Sequence, residues 1–176
     1  MNSLPLHPAL VHIPLGLAVV LPLLGAGVLL AWWRGWLSPR AWVLVIGLQA
    51  ALLVSGIVTL QSGEREEDRV EQVVPEAAIH EHEEAAEIMV WGSGAVLGLA
   101  LLPLLMRKRR ESLQRWSALG AVAGSLVVAG LAVHTGEEGG KLVYQHGAAS
   151  AYVAPQGDPG SPAAPARSEA RADDDD

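Results

Sequence analysis

Residues 6–24 read LHPALVHIPLGLAVVLPLL, an apolar run whose mouth carries two histidines, His7 and His12, and two prolines, Pro8 and Pro14. The run extends over about 9–31, and three more of the same kind follow at roughly 41–60, 88–106 and 116–134. Each is close to the twenty or so apolar residues that cross a hydrocarbon core of about 30 Å. In 176 residues that are 51% hydrophobic, with a mean hydropathy of +0.30, the apolar residues are grouped rather than periodic, which excludes an ordinary soluble domain. The chain reads as an all-α membrane protein with four transmembrane helices in an antiparallel bundle. The first run lacks a basic leader and a small-x-small cleavage site before Trp32, Trp33 and Arg34, so it is expected to stay as a span.

The loops give an orientation. The link between the first two spans holds Arg34 and Arg40, and the link between the last two reads MRKRRESLQR, with Arg107, Lys108, Arg109, Arg110 and Arg115. The other segments hold 18 of the 19 acidic residues, including GEREEDRVEQ and the closing DDDD. By the positive-inside rule the two basic links face the cytoplasm, and both termini and the middle loop face outward. The net charge of -7 is then an outer-surface property, which argues against nucleic-acid binding.

The middle loop, 61–87, is rich in Glu, Arg, Val and Ala and has no flexible-linker composition. It is expected to form a helical hairpin rising beyond the membrane, broken near Val73 to Pro75, with Pro75 at a helix start. SGEREEDRV after the second span echoes TGEEGGKLV after the fourth, and LPLL occurs at 21–24 and 102–105, compatible with two duplicated hairpins. The tail from Ala154, rich in Pro, Ala and acid, has no means of burying a core and is expected to be disordered. The bundle domain is 1–153 and the tail 154–176.

The chain has six histidines and no cysteine, so thiolate ligands, disulfides and covalently attached haem are excluded. His7, His12, His80, His82, His134 and His146 all fall at or beyond the outer boundary of the spans. Ionisable groups inside spans are costly and usually functional. On a helix through 75–106, His82 shares a stripe with Ala78, Ile79, Ala85, Ala86 and Met89 and points inward, whereas His80 shares a flank with Glu76, Glu83, Glu84 and Glu87. His134 lies one turn above Gly130. Residues five apart on a regular helix differ by about 140°, but Pro14 would clash with Leu10, so a bent entry lets both His7 and His12 turn inward. GGKLVYQHG at 139–147 reads as a β-like apolar segment folding back as a lid that brings His146.

Imidazoles gathered at one end of a bundle fit haem b, one or two per chain, because bis-imidazole ligation needs no cysteine and bundle cores are recurrent cofactor sites. Arg65, Arg69 or Lys141 would pair with the propionates, and Gln49, Ser55 and Thr59 are candidates for a quinone pocket. The alternative is a Zn or Cu site using His with Glu83, Glu84 or Glu87, or a partner interface, with no redox role. A di-iron carboxylate centre is disfavoured because no Glu-x-x-His occurs.

LHPALVHIPLGL, SGEREEDRVE with PEAAIHEHEEAAE, and TGEEGGKLVYQHG together resemble a family of small four-span bacterial inner-membrane proteins of unknown function. Its members open with HPxxVHxPxxL, carry a TGE-type acidic stretch and a His-Glu before the third span, and end with GGxLVYxHG. The resemblance covers about residues 4–153. It marks His7, His12, His82 and His146, and does not reach His134. AASAY after His146 departs from the family's Gly-Val-rich run. The layout is similar to membrane b-type cytochromes, and relatives occur fused to or beside c-type cytochrome modules. The resemblance therefore implies a bacterial inner-membrane protein with periplasmic termini. It also implies an electron-transfer subunit, rather than an independent enzyme, that meets lipid and either a redox partner (a c-type cytochrome or quinol-linked complex) or a second copy.

The charge asymmetry generates a direct test. A reporter active only in the cytoplasm, fused after residue 153, is expected to be silent, and a periplasm-dependent reporter at the same position active; the reverse would invert the topology.

Overall fold

The structure is a computed structural model and describes residues 5–106 and 111–153. Arg107 to Arg110 and the 154–176 tail lie outside the described residues. The chain forms α1 (His7–Leu10), α2 (His12–Trp33), a 3-10 turn at Pro39–Ala41, α3 (Trp42–Val70), α4 (Glu76–Leu105), α5 (Glu111–Tyr144) and a closing 3-10 segment at Ala148–Tyr152. Four helical segments, His7–Trp33, Pro39–Val70, Glu76–Leu105 and Glu111–Tyr144, are long and apolar enough to cross a membrane. Four spans separated by short links alternate in direction, so neighbours are antiparallel. Helix α2 packs on α3 and α5, and α4 packs on α3 and α5, while the two diagonal pairs do not pack directly.

The spacing of buried residues explains the closure. In α2 they are Pro14, Ala18, Leu21, Pro22, Gly25, Leu29 and Trp32; in α3, Trp42, Val45, Gln49, Leu52 and Gly56. Alternating steps of three and four keep one stripe facing the bundle axis, the repeat of left-handed helix packing. In α5 the buried set Ala118, Ala121, Ser125, Val128 and Ala132 repeats the α3 set 76 positions on. In α4, Met89, Ser93, Val96 and Ala100 repeat Pro14, Ala18, Leu21 and Gly25 of α2 75 positions on. The two hairpins are thus built alike. Their register is not the one the SGE and TGE echo implied: Thr135 corresponds to Thr59 rather than Ser62, because helix packing matches seam positions and ignores short composition matches.

Two polar side chains of the seam bond to the backbone of a neighbouring helix. Trp42 Nε1 donates to the Ala100 carbonyl at 2.9 Å, and the Gln49 amide, 1% exposed, donates to the Ser93 carbonyl at 3.0 Å. Ser55 Oγ donates to the Leu52 carbonyl of its own helix. Gln49 therefore ties α3 to α4 and Ser55 is satisfied within its own helix, so neither hydrogen-bonding group faces a quinone pocket.

The helices are longer than a span requires, and the excess lies at the end that carries Leu6 and Tyr152. Helices α3, α4 and α5 have 29, 30 and 34 residues, against about 20 needed to span. Pro75 caps α4 with extended backbone, so the expected break before it is present. The extension is more than a hairpin, however, because α5 runs through TGEEGGKLVY to Tyr144. The expected β-like segment is helical; once a helix is packed, propagation through Gly139 and Gly140 continues to add a hydrogen bond per residue. The chain turns only at Gly147, whose φ of +72° suits glycine, and then enters Ala148–Tyr152. At the other, basic end, Trp33, Trp36 and Trp116 are exposed, as expected of an interfacial aromatic belt.

Helices α4 and α5 approach closely at Gly124, where an added Cβ would lie 2.7 Å from Val96 Cγ2. Gly124→Ala is expected to destabilise the bundle by about 1–3 kcal/mol. Gly120→Ala, with nothing within 4 Å of the added carbon, should stabilise by up to about 1 kcal/mol, since Ala is the better helix former. Reversible unfolding in mixed micelles measures both, and equal effects would remove the packing argument.

Candidate functional site

Where the apolar spans give way to the charged cap, the core is interrupted. The main apolar cluster reaches Met89 and Ala132, and a second, formed by Val74, Ile79 and Ala148 with Val70, Ala78 and Leu142, covers the end of the bundle. Between their sequence levels lies a polar layer: His7, Thr59, Ser62, Gly63, His82, Thr135 and Gly139. Its centre is a pair of imidazoles from diagonally opposed helices. The rings of His7 on α1 and His82 on α4 have centroids 6.1 Å apart and planes 88° to one another.

Two glycines on the other diagonal make that meeting sterically feasible. A Cβ on Gly63 of α3 would come within 3.3 Å of His7 Cε1, and one on Gly139 of α5 within 3.1 Å of His82 Cε1. These glycines are 76 positions apart, as are Thr59 and Thr135, so the site has the same internal symmetry as the seams.

The two rings differ in their partners. His7 Nδ1 lies 3.0 Å from the Thr59 carbonyl and 3.0 Å from Ser62 Oγ, which itself donates to the same carbonyl at 2.6 Å. A carbonyl can only accept, so the proton belongs on Nδ1. In the neutral ring the lone pair is left on Nε2, the arrangement of a metal-binding histidine oriented by a backbone acceptor. His82 Nδ1 is buried and makes no hydrogen bond of good geometry, although the Thr135 backbone faces the ring as Thr59 faces His7. A buried ring nitrogen left unpaired is costly, and a bound group is one of the things that explains it.

The remaining histidines stand apart from the pair. His12 is exposed, its Nδ1 turned back to the Ala9 carbonyl at 3.3 Å; Val11 between α1 and α2 keeps α-helical backbone, so the expected bent entry does not bring both rings inward, and only His7, seven residues before buried Pro14, lies on the inward stripe. His134 is exposed, 3.7 Å from Glu138. His80 is exposed, as its acidic flank implied, while His82 is half-buried beside buried Ile79, Ala85 and Met89. His146 is half-buried at the turn after α5. Among the described residues no group of three or more His, Cys, Asp or Glu is placed to hold a metal ion, so the two imidazoles are the donor set to be considered. Lys141 is held by the buried Glu138 carboxylate at 2.6 Å, and the Arg69 guanidinium lies 5.1 Å over the Tyr152 ring. Of the three cations considered for propionates, these two already have partners in the cap, and Arg65 is exposed.

One residue that sequence reasoning passed over is Glu66. Its Oε1 accepts from the Leu6 and His7 amides at 2.9 and 3.3 Å, and its Oε2 from the Tyr152 hydroxyl at 2.8 Å. Nothing in the acidic run singles it out from Glu64 or Glu67; the distinction comes from the face of α3 that it occupies.

Fold and layer together define a small four-span membrane protein with a paired-imidazole site at one end of its bundle. The chain matches over residues 3–151 the family described as "Predicted membrane protein (DUF2231)", and it belongs to that family. No curated protein and no solved structure matches it.

The ring pairing can be checked without any ligand. In protein labelled with 13C,15N-histidine, solid-state NMR is expected to show one through-space imidazole–imidazole correlation. It should vanish in His7→Ala and in His82→Ala and persist in His12→Ala; persistence in His82→Ala would show that other rings make it.

Proposed function

We propose that this protein is a haem b-binding electron-transfer subunit of the bacterial inner membrane, in which His7 and His82 would hold the iron of one haem at the periplasmic side. The observation that carries the reading is the crossed imidazole pair. Two imidazoles with one metal ion held on the line between their nitrogens, each about 2 Å away, would have ring centres about 6 Å apart, against the observed 6.1 Å. The donor chemistry also fits: His7 is oriented through Nδ1, His82 has a buried nitrogen without a hydrogen bond of good geometry, and two protein ligands are what bis-imidazole haem requires. When bound, haem supplies a reversible one-electron couple.

The chain's own residues supply placement. Thr59 and Ser62 set the His7 tautomer, Gly63 and Gly139 admit the two rings, and the apolar layers on either side limit water at the pair. No nucleophile or general acid–base constellation is called on, in keeping with relay between a quinol-linked donor or c-type cytochrome and an acceptor rather than with independent catalysis. His12, His134 and His146 are left outside the ligand set, so the reading is one haem per chain rather than two.

The second reading is a non-redox subunit that binds Zn or Cu through the same two histidines, whose ring centres would close by about 1 Å around a tetrahedral ion. Reconstitution with haemin separates the two. A Soret band with sharp reduced α and β bands is expected, at about one haem per chain by pyridine haemochrome analysis. His7→Ala and His82→Ala should each abolish the bis-imidazole spectrum, whereas His80→Ala and His134→Ala retain it. A chain that stays colourless with haemin and binds stoichiometric Zn or Cu would overturn the haem reading.

A further inference from the structure

We propose that Glu66 and Tyr152 are positioning residues that hold His7 in the imidazole pair, so that the C-terminal 3-10 segment sets the geometry of a ligand near the N-terminus. Helix α1 is only four residues long, has no side-chain cap of its own at Leu6, and packs on α3 and against the start of α2. So short a helix has little internal stability, since its first turn costs conformational entropy and returns almost no hydrogen bonds. Its free amides are instead taken by a carboxylate from another helix: Glu66 Oε1 accepts from the N–H groups of Leu6 and His7 itself.

That carboxylate is fixed in turn from the far end of the sequence. The Tyr152 hydroxyl donates to Glu66 Oε2 at 2.8 Å, across 86 positions, while the Arg69 guanidinium lies on the opposite partner of the contact, 5.1 Å over the phenol ring. Ala148 is buried against Val74 and Ile79, so the segment carrying Tyr152 is seated on the α3–α4 turn rather than hanging free. Burial first, and the bond to Glu66 second, push the Tyr152 phenol up to about 12, which keeps it a donor at any physiological pH. One carboxylate therefore joins the chain's beginning, the extension of α3 and the closing segment. The element it anchors bears His7.

The anchoring does not depend on a bound group, although its effect on ligation rests on the haem reading, and two measurements keep them distinct. The chain has no cysteine, so Leu6→Cys carries a nitroxide at a single exposed site. In full-length protein in nanodiscs the nitroxide spectrum is expected to be broad. It should sharpen in Glu66→Ala and in Tyr152→Phe, and stay close to the parent in Glu66→Gln, which keeps an oxygen acceptor for the two amides. In the unlabelled haem-loaded protein, Glu66→Ala and Tyr152→Phe should speed haem transfer to apomyoglobin about tenfold, with Glu66→Gln restoring the slow rate and the unfolding temperature unchanged. An unaltered spectrum in both Glu66→Ala and Tyr152→Phe overturns the anchoring. Sharpened spectra in a chain that takes up no haem uphold it and overturn the haem reading instead. Sharpened spectra with an unchanged haem-loss rate overturn the proposed effect on His7.

Discussion

Close approach between backbone and imidazole is the constraint on which the acidic end of this protein depends. Two rings occupy the centre of a four-helix bundle only if the helices beside them present no side chain at that level. Gly63 and Gly139 meet that condition at the two places where a Cβ would come within 3.3 Å of a histidine carbon. Glycine costs roughly 1 kcal/mol relative to Ala in a helix interior. Long packed helices offset that locally, and the continuity of α5 through Gly139 and Gly140 shows packing winning over propensity.

The two ends of the molecule are held by different physics. Within the membrane the helices gain little from burial against lipid, and association rests on close-packed small residues and on polar side chains bonded to neighbouring backbone, as with Trp42 on Ala100 and Gln49 on Ser93. Beyond the spans water is available, and the cap is stabilised by an ordinary apolar cluster around Val74, Ile79 and Ala148 together with charged contacts such as Glu138 with Lys141. The histidine layer sits at the junction of these regimes, dry enough for an unpaired ring nitrogen to matter and close enough to water for charge at the cap to be tolerated.

The repeat relation between the hairpins gives the layer its form. Equivalent helices deliver equivalent residues, a histidine from the first helix of each hairpin and a Thr with a Gly from the second. The halves then diverge: Ser62 and Glu66 serve the His7 side, while the corresponding turn of α5 carries the buried Glu138. A symmetric scaffold thus ends in two chemically different imidazoles.

The sequence by itself determined the number of apolar helices and the break before Pro75, because run length and proline chemistry are local. It also ranked His82 over His80, since a face of one helix is legible from spacing. What it left open was which histidines meet. His7 and His12 are equally marked by motif, yet only His7 turns inward, where α1 packs on α3 and the Glu66 carboxylate, 59 and 60 positions away, accepts from its first amides. The helical state of GGKLVY was likewise hidden, as glycine pairs signal a turn in isolation. Ring pairing, the capping role of Glu66 and the seat of Tyr152 all join residues distant in the chain, and only tertiary packing decides such pairings.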